Sequence, residues 1–117
     1  MQRRAFACTL CTLLVAALTG CKRTPQIDAA AFVGSWQSSR LTTPLILYAN
    51  GDWEIKTTEG QVLQYGVWNY APGQFLWTFK QGTQVQHEVN PLLSFNSTAF
   101  TLRETDGSVT TFTRLPP

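Results

Sequence analysis

The chain has 117 residues, 44% of them hydrophobic and only 14% charged, with nine Lys or Arg against seven Asp or Glu and a formal net charge of +2. That is one domain's length, and the charge excess is too small for a nucleic-acid footprint. One histidine and three cysteines leave little for a metal site of the usual His, Cys and carboxylate ligands.

Met1, Gln2, Arg3 and Arg4 form a short basic start, and Ala5 to Leu18 carries no charge. These are the n-region and h-region of a secretory signal peptide. The apolar run is shorter than the roughly 20 residues a membrane-spanning helix needs. The segment ends in Leu18-Thr19-Gly20-Cys21, which resembles the lipobox of bacterial lipoproteins. The resemblance implies a diacylglycerol on the Cys21 thiol, cleavage after Gly20 and acylation of the new amino group. By resemblance to lipoprotein sorting, Lys22 rather than Asp after the cysteine implies an outer-membrane lipoprotein held by its lipid, facing the periplasm, with the cell surface as the alternative. Arg3, Arg4 and Phe6 echo the twin-arginine export motif, but the pattern around them matches poorly, and the general and twin-arginine routes both stay open.

Processing over residues 1–20 changes the rest of the reading. Cys8 and Cys11 leave with the signal, so their C-x-x-C spacing carries no redox or metal role. With Cys21 lipidated, no free thiol or disulfide remains, and the domain must be stable from packing alone. Arg3 and Arg4 leave too, so seven basic residues face seven acidic ones and the mature surface is neutral.

Residues 21–31 form the lipidated cysteine and a polar tether. Asp28, ahead of Ala29, Ala30, Ala31 and Phe32, has the place of an N-cap for a single helical turn. The domain proper is expected over 32–117. From Phe32 onward, short runs rich in Val, Ile, Thr, Trp, Tyr and Phe alternate with turn residues. Eight strands are predicted, at 32–40, 44–49, 52–58, 62–70, 74–80, 84–95, 98–105 and 109–115. Asn50-Gly51 and Asp106-Gly107 are the strongest turn signals, each expected as a two-residue hairpin with positive φ at both positions. Trp53, Ile55 and Thr57 share one face of their strand, and Phe75, Trp77 and Phe79 share one face of theirs, as a half-buried sheet requires. Pro91 is expected to bend or bulge the sixth run, or to divide it into two shorter strands. Tight sequential turns imply an all-β antiparallel up-and-down meander that closes, or nearly closes, into a small barrel.

Phe32-Val33-Gly34-Ser35-Trp36 opens the first strand and Arg114 lies in the last. This arrangement resembles the lipocalin-like group, whose first strand carries a Gly-x-Trp and whose barrel end is closed by a basic residue packed on that Trp. Asn50-Gly51-Asp52-Trp53 and Gly66-Val67-Trp68 fit the pattern of its short bacterial members. The resemblance implies barrel-end packing by Gly34, Trp36 and Arg114. The short strands argue against a roomy cavity.

His87 alternates with Val85 and Val89, which leaves an inward direction open, with Glu88 on the opposite face; a lone strand histidine reads more commonly as a surface or satisfied core residue. No second histidine or ligand cluster accompanies it, so no metal or cofactor is expected. No nucleophile–base–acid pattern is present either, and the chain is read as non-enzymatic. Four tryptophans are more than a small core requires. Trp53, Trp68, Tyr70, Trp77 and Phe79 are the candidate surface for a ligand or partner. Two functions fit. One is a lipocalin-like binding or accessory module for an apolar small molecule. The other is a protein-interaction module, such as a hydrolase inhibitor or a subunit of an envelope secretion or pilus assembly. Tight aromatic cores are commoner than hollow small barrels, so weak or absent binding of an apolar dye is the expectation.

Overall fold

The structure, a computed structural model, describes residues 27–117. The signal segment, Cys21 and most of the tether lie outside the described residues. A 3₁₀ turn, Ala29–Phe32, precedes eight strands: β1 (Gly34–Ser38), β2 (Leu45–Leu47), β3 (Asp52–Lys56), β4 (Val62–Ala71), β5 (Gln74–Gln81), β6 (Gln84–Phe95), β7 (Ala99–Arg103) and β8 (Val109–Arg114). Each strand pairs antiparallel with the next. β1 pairs with β8 through Trp36 opposite Arg114, Gln37 opposite Thr113 and Ser38 opposite Phe112, which closes the barrel. Closure leaves no sheet edge unpaired. Among the described residues no helix is long and apolar enough to cross a membrane.

The expected meander is therefore the fold, with local corrections. Among the described residues none other than glycine has positive φ, so Asn50 and Asp106 do not adopt the conformation expected of them. Instead the Gly51 N–H donates to the Tyr48 carbonyl at 3.1 Å, and the Tyr48 N–H to the Asp52 carbonyl at 2.9 Å. Glu104 to Ser108 repeats this pattern, as does Thr57 to Gln61. These are three-residue loops in which the glycine alone takes the left-handed position. Pro91 neither breaks nor bulges β6. It pairs with Gln74 where the β5 ladder ends, and the register shift falls between Leu92 and Ser94, against β7. The helical turn after Asp28 forms without a side-chain cap from that residue.

The core is polarised. At one pole, which we call the closed pole, Phe32 is fully buried and meets the rings of Tyr70, Phe75, Phe95 and Phe100 at centroid distances of 4.7–5.1 Å. The 3₁₀ turn is what swings Phe32 under the barrel; a strand running from residue 32 would have left it in the wall. Trp36 packs edge-on against Phe100 at 4.6 Å, and its indole N–H donates to the Phe32 carbonyl at 2.9 Å. Arg114 lies over the Trp36 ring, its guanidinium carbon 4.2 Å from the centroid. Its Nε donates to the Ser97 carbonyl, Nη1 to Val33 and Nη2 to Ala31, at 2.8–3.0 Å. One side chain thus ties the N-terminal segment and the β6–β7 turn to β8. Gly34 has φ of +139°, and a Cβ there would sit 2.8 Å from Arg114 Nη1, so the guanidinium occupies the space a side chain would need.

Candidate functional site

The other pole is open. Phe75 and the rings around it form its floor, and above them the barrel is hollow. A cavity of about 420 Å³ is bounded by inward-facing residues of all eight strands and by the β1–β2 loop. Its apolar wall comes from Leu45, Trp53, Ile55, Trp77, Phe79 and Phe112, and its polar wall from Ser38, Gln64, Glu88, Asn90, Glu104 and Thr110. The expectation of a filled interior does not hold at this pole. Polar side chains take inward positions here and leave the space between them unfilled.

Register explains which side chains meet. Trp77 on β5 lies opposite Glu88 on β6, and Phe79 opposite Gln86. Directly opposed residues in an antiparallel pair share a face and bring their side chains into contact range, so Glu88 belongs to the same inner surface as Trp77. Asn90, one inward position further along, is 2% exposed and joins them. Its Oδ1 accepts from the Trp77 indole N–H at 2.8 Å, while its Nδ2 is directed at Glu88 Oε2 (3.2 Å) and the Arg103 carbonyl (3.1 Å). A buried amide using both ends in this way holds its neighbours in one geometry.

Across the cavity, the Thr110 hydroxyl donates to Glu104. Arg40 at the rim lies 3.6 Å from Glu104 and 3.9 Å from Asp106. Arg40 is half exposed, and such pairs are worth little in stability. The Asp106 carboxyl is held below the usual carboxylate range, first by the Ser108 hydroxyl, then by the Ser108 N–H, with Arg40 contributing.

Trp53 forms the side wall at right angles to Trp77, with ring centroids 6.0 Å apart, and 6.5 Å from Phe79. Its indole lies against Gly66. A Cβ there would overlap the Thr78 carbonyl oxygen and lie 2.8 Å from Trp53 Nε1. That nitrogen is buried without a hydrogen-bond partner among the described residues, a cost of about 1–3 kcal/mol accepted beside the cavity.

The candidate surface residues divide between the poles. Trp53, Trp77 and Phe79 line the cavity. Trp68 stacks on Phe75 at 5.8 Å, and Tyr70 sits beside Phe32, so both serve the closed pole. His87 does not point inward: it is exposed, with Nδ1 3.2 Å from the Thr78 hydroxyl, and Glu88 takes the inner face. The valines misled, because Val85 and Val89 are themselves on the outside, about half exposed. Glu88, Asn90, Glu104 and Thr110 were not singled out in sequence. The signal available was the polar Gln86, Glu88, Asn90 alternation, which became informative only once its strand was in register with Trp77 and Phe79. Among the described residues no group of three His, Cys, Asp or Glu side chains is placed to hold a metal ion. Compared with known proteins, the chain matches no family model, no curated protein and no solved structure.

Proposed function

We propose that the protein is a lipid-anchored envelope lipoprotein whose barrel binds a small amphipathic molecule in its open pole without transforming it. The observation that carries this reading is the cavity of about 420 Å³ with one aromatic and one polar wall. Ligand sites are commonly concave, mostly apolar and furnished with a few convergent polar groups. Binding rather than catalysis is favoured because His87, the histidine available as a general base, is exposed on the outer face of β6 and does not line the cavity.

The eight strands and the core cluster of the described residues lie within residues 27–117, so a chain starting at Lys22 retains all of them. An apolar dye or a medium-chain fatty acid is expected to give a saturable one-site signal with this chain, changed by Trp77→Ala. A linear, non-saturating response would end the binding reading. It would favour docking on an envelope protein instead, for which the exposed Tyr65, Val67, Val85 and Val89 on the outer face of β4–β6 speak.

The anchor has its own test. Metabolic labelling with a fatty acid is expected to mark the wild type and not Cys21→Ser. Equal labelling of both would remove the lipoprotein from the proposal, as recovery with the inner membrane alone would remove the outer-membrane placement.

A further inference from the structure

The two carboxylates of the cavity are not in the same state of neutralisation. Glu104 has Arg40 at 3.6 Å and a hydroxyl donor in Thr110. Glu88 has no cation within ion-pair distance among the described residues, and the one side-chain donor directed at it is the Asn90 amide. An ionised carboxylate offers about four acceptor sites, so most of the capacity of Glu88 is unused. Asn90 is buried and is itself anchored to Trp77 and to the Arg103 carbonyl of β7, so it offers the carboxylate a donor fixed in place. Beside it stands Trp77, its direct cross-strand partner, and beyond that the perpendicular Trp53 and the ring of Phe79.

We infer that the cavity selects organic cations: a primary or quaternary ammonium group seated between Glu88 and the Trp77 ring, with its apolar substituent against Trp53, Phe79 and Ile55. The inference rests on the binding reading above and specifies its ligand class. An aromatic corner attracts a cation through the negative faces of its rings when the charge lies within about 6 Å of their centroids. A carboxylate in a partly dehydrated cavity adds a Coulombic attraction stronger than it would be in water. An anionic amphiphile meets the opposite field: its headgroup would face Glu88, and Arg40 is already engaged by Glu104 and Asp106. A neutral amphiphile gains the apolar wall and hydrogen bonds to the polar wall, without the Coulombic attraction.

The test uses three probes of one chain length, octyltrimethylammonium, 1-octanol and octanoate, each titrated below its aggregation concentration into the chain starting at Lys22 and read by tryptophan fluorescence and calorimetry. The ammonium is expected to bind at least about tenfold more tightly than the alcohol, and octanoate more weakly than either. Glu88→Gln keeps an acceptor for Asn90 and so keeps the fold. It is expected to abolish the preference for the cation, bringing the ammonium to about the affinity that 1-octanol shows for the same variant. The wild type supplies a second readout, since added salt should weaken the ammonium and not the alcohol. If the alcohol binds and the ammonium shows no advantage, or if the preference survives Glu88→Gln, the charge selection is wrong while the cavity still binds. If none of the three binds, the binding reading falls and this inference with it.

Discussion

Replacing Trp36 with alanine is expected to remove about 3–5 kcal/mol from the stability of the barrel. Domains of this size commonly hold only about 5–15 kcal/mol in total, and each kcal/mol moves the melting point by about 4–8 °C. The size of the effect follows from complete burial, the edge-on contact with Phe100 and the indole hydrogen bond to the Phe32 carbonyl, all lost together. Arg114→Ala is expected to cost less, about 1.5–3 kcal/mol, as befits charge-assisted bonds to three carbonyls. Arg114→Lys should not restore it, because an ammonium lacks the planar fork that reaches Ser97, Val33 and Ala31 at once. With the guanidinium 4.2 Å above the indole, the double mutant should lose less than the sum of the two single losses, by about 0.5–3 kcal/mol. Urea midpoints of the four proteins measure this directly. Additive losses would mean that the stacking contributes nothing to closing the pole, and a loss below about 1 kcal/mol for Trp36→Ala would contradict its burial.

Phe32→Ala is the second large effect expected, again about 3–5 kcal/mol. Phe32 lies outside the sheet, yet it is the ring at which β4, β5, β6 and β7 converge through Tyr70, Phe75, Phe95 and Phe100. Its removal leaves a void that a closed hydrogen-bonded wall cannot collapse to fill, which is the costly case of truncation. Phe32→Leu keeps much of the apolar volume and should recover much of the loss. Amide exchange separates this from a general loosening: protection around Phe75 and Phe100 should fall more than protection around Phe79 and Gln86, at the open end of the same ladder. Uniform loss of protection would show that the two poles are not separable.

Much of the architecture was legible in the chain, and the parts that were not share a physical reason. β6 was placed at 84–95 and occupies those residues, because glycine and asparagine punctuation bounds a run with strong strand preference. β1 starts two residues later than its apolar pattern suggested, because a phenylalanine used as a plug looks in sequence like the first residue of a strand. Alternation sorts a strand into two faces without saying which faces inward. For β3 and β5 the tryptophans and phenylalanines decided it, whereas in β6 the valines pointed the wrong way, and Glu88 and Asn90 were hidden by their polarity. The hollow pole was not readable at all, since its shape depends on the register of eight strands and on how little their polar inward residues fill. Gly34 and Trp36 lie about 80 residues before Arg114 in the chain and meet it in space; a short resemblance was the one sequence signal that linked them.

The two ends of the barrel differ in what leaves from them. Ile27 packs against the core, and the chain enters the fold through the closed pole, under Arg114. If Cys21 carries the lipid, six residue steps separate it from Ile27, at most about 20–22 Å of extended chain. The barrel would then stand on the bilayer like a cup on a short stem, base towards the headgroups and mouth towards the aqueous compartment. Cargo would be exchanged with the surrounding fluid and not drawn sideways out of the leaflet, and anything meant to collect it would approach from the side opposite the membrane, over the rim formed by Arg40, Glu104 and Asp106.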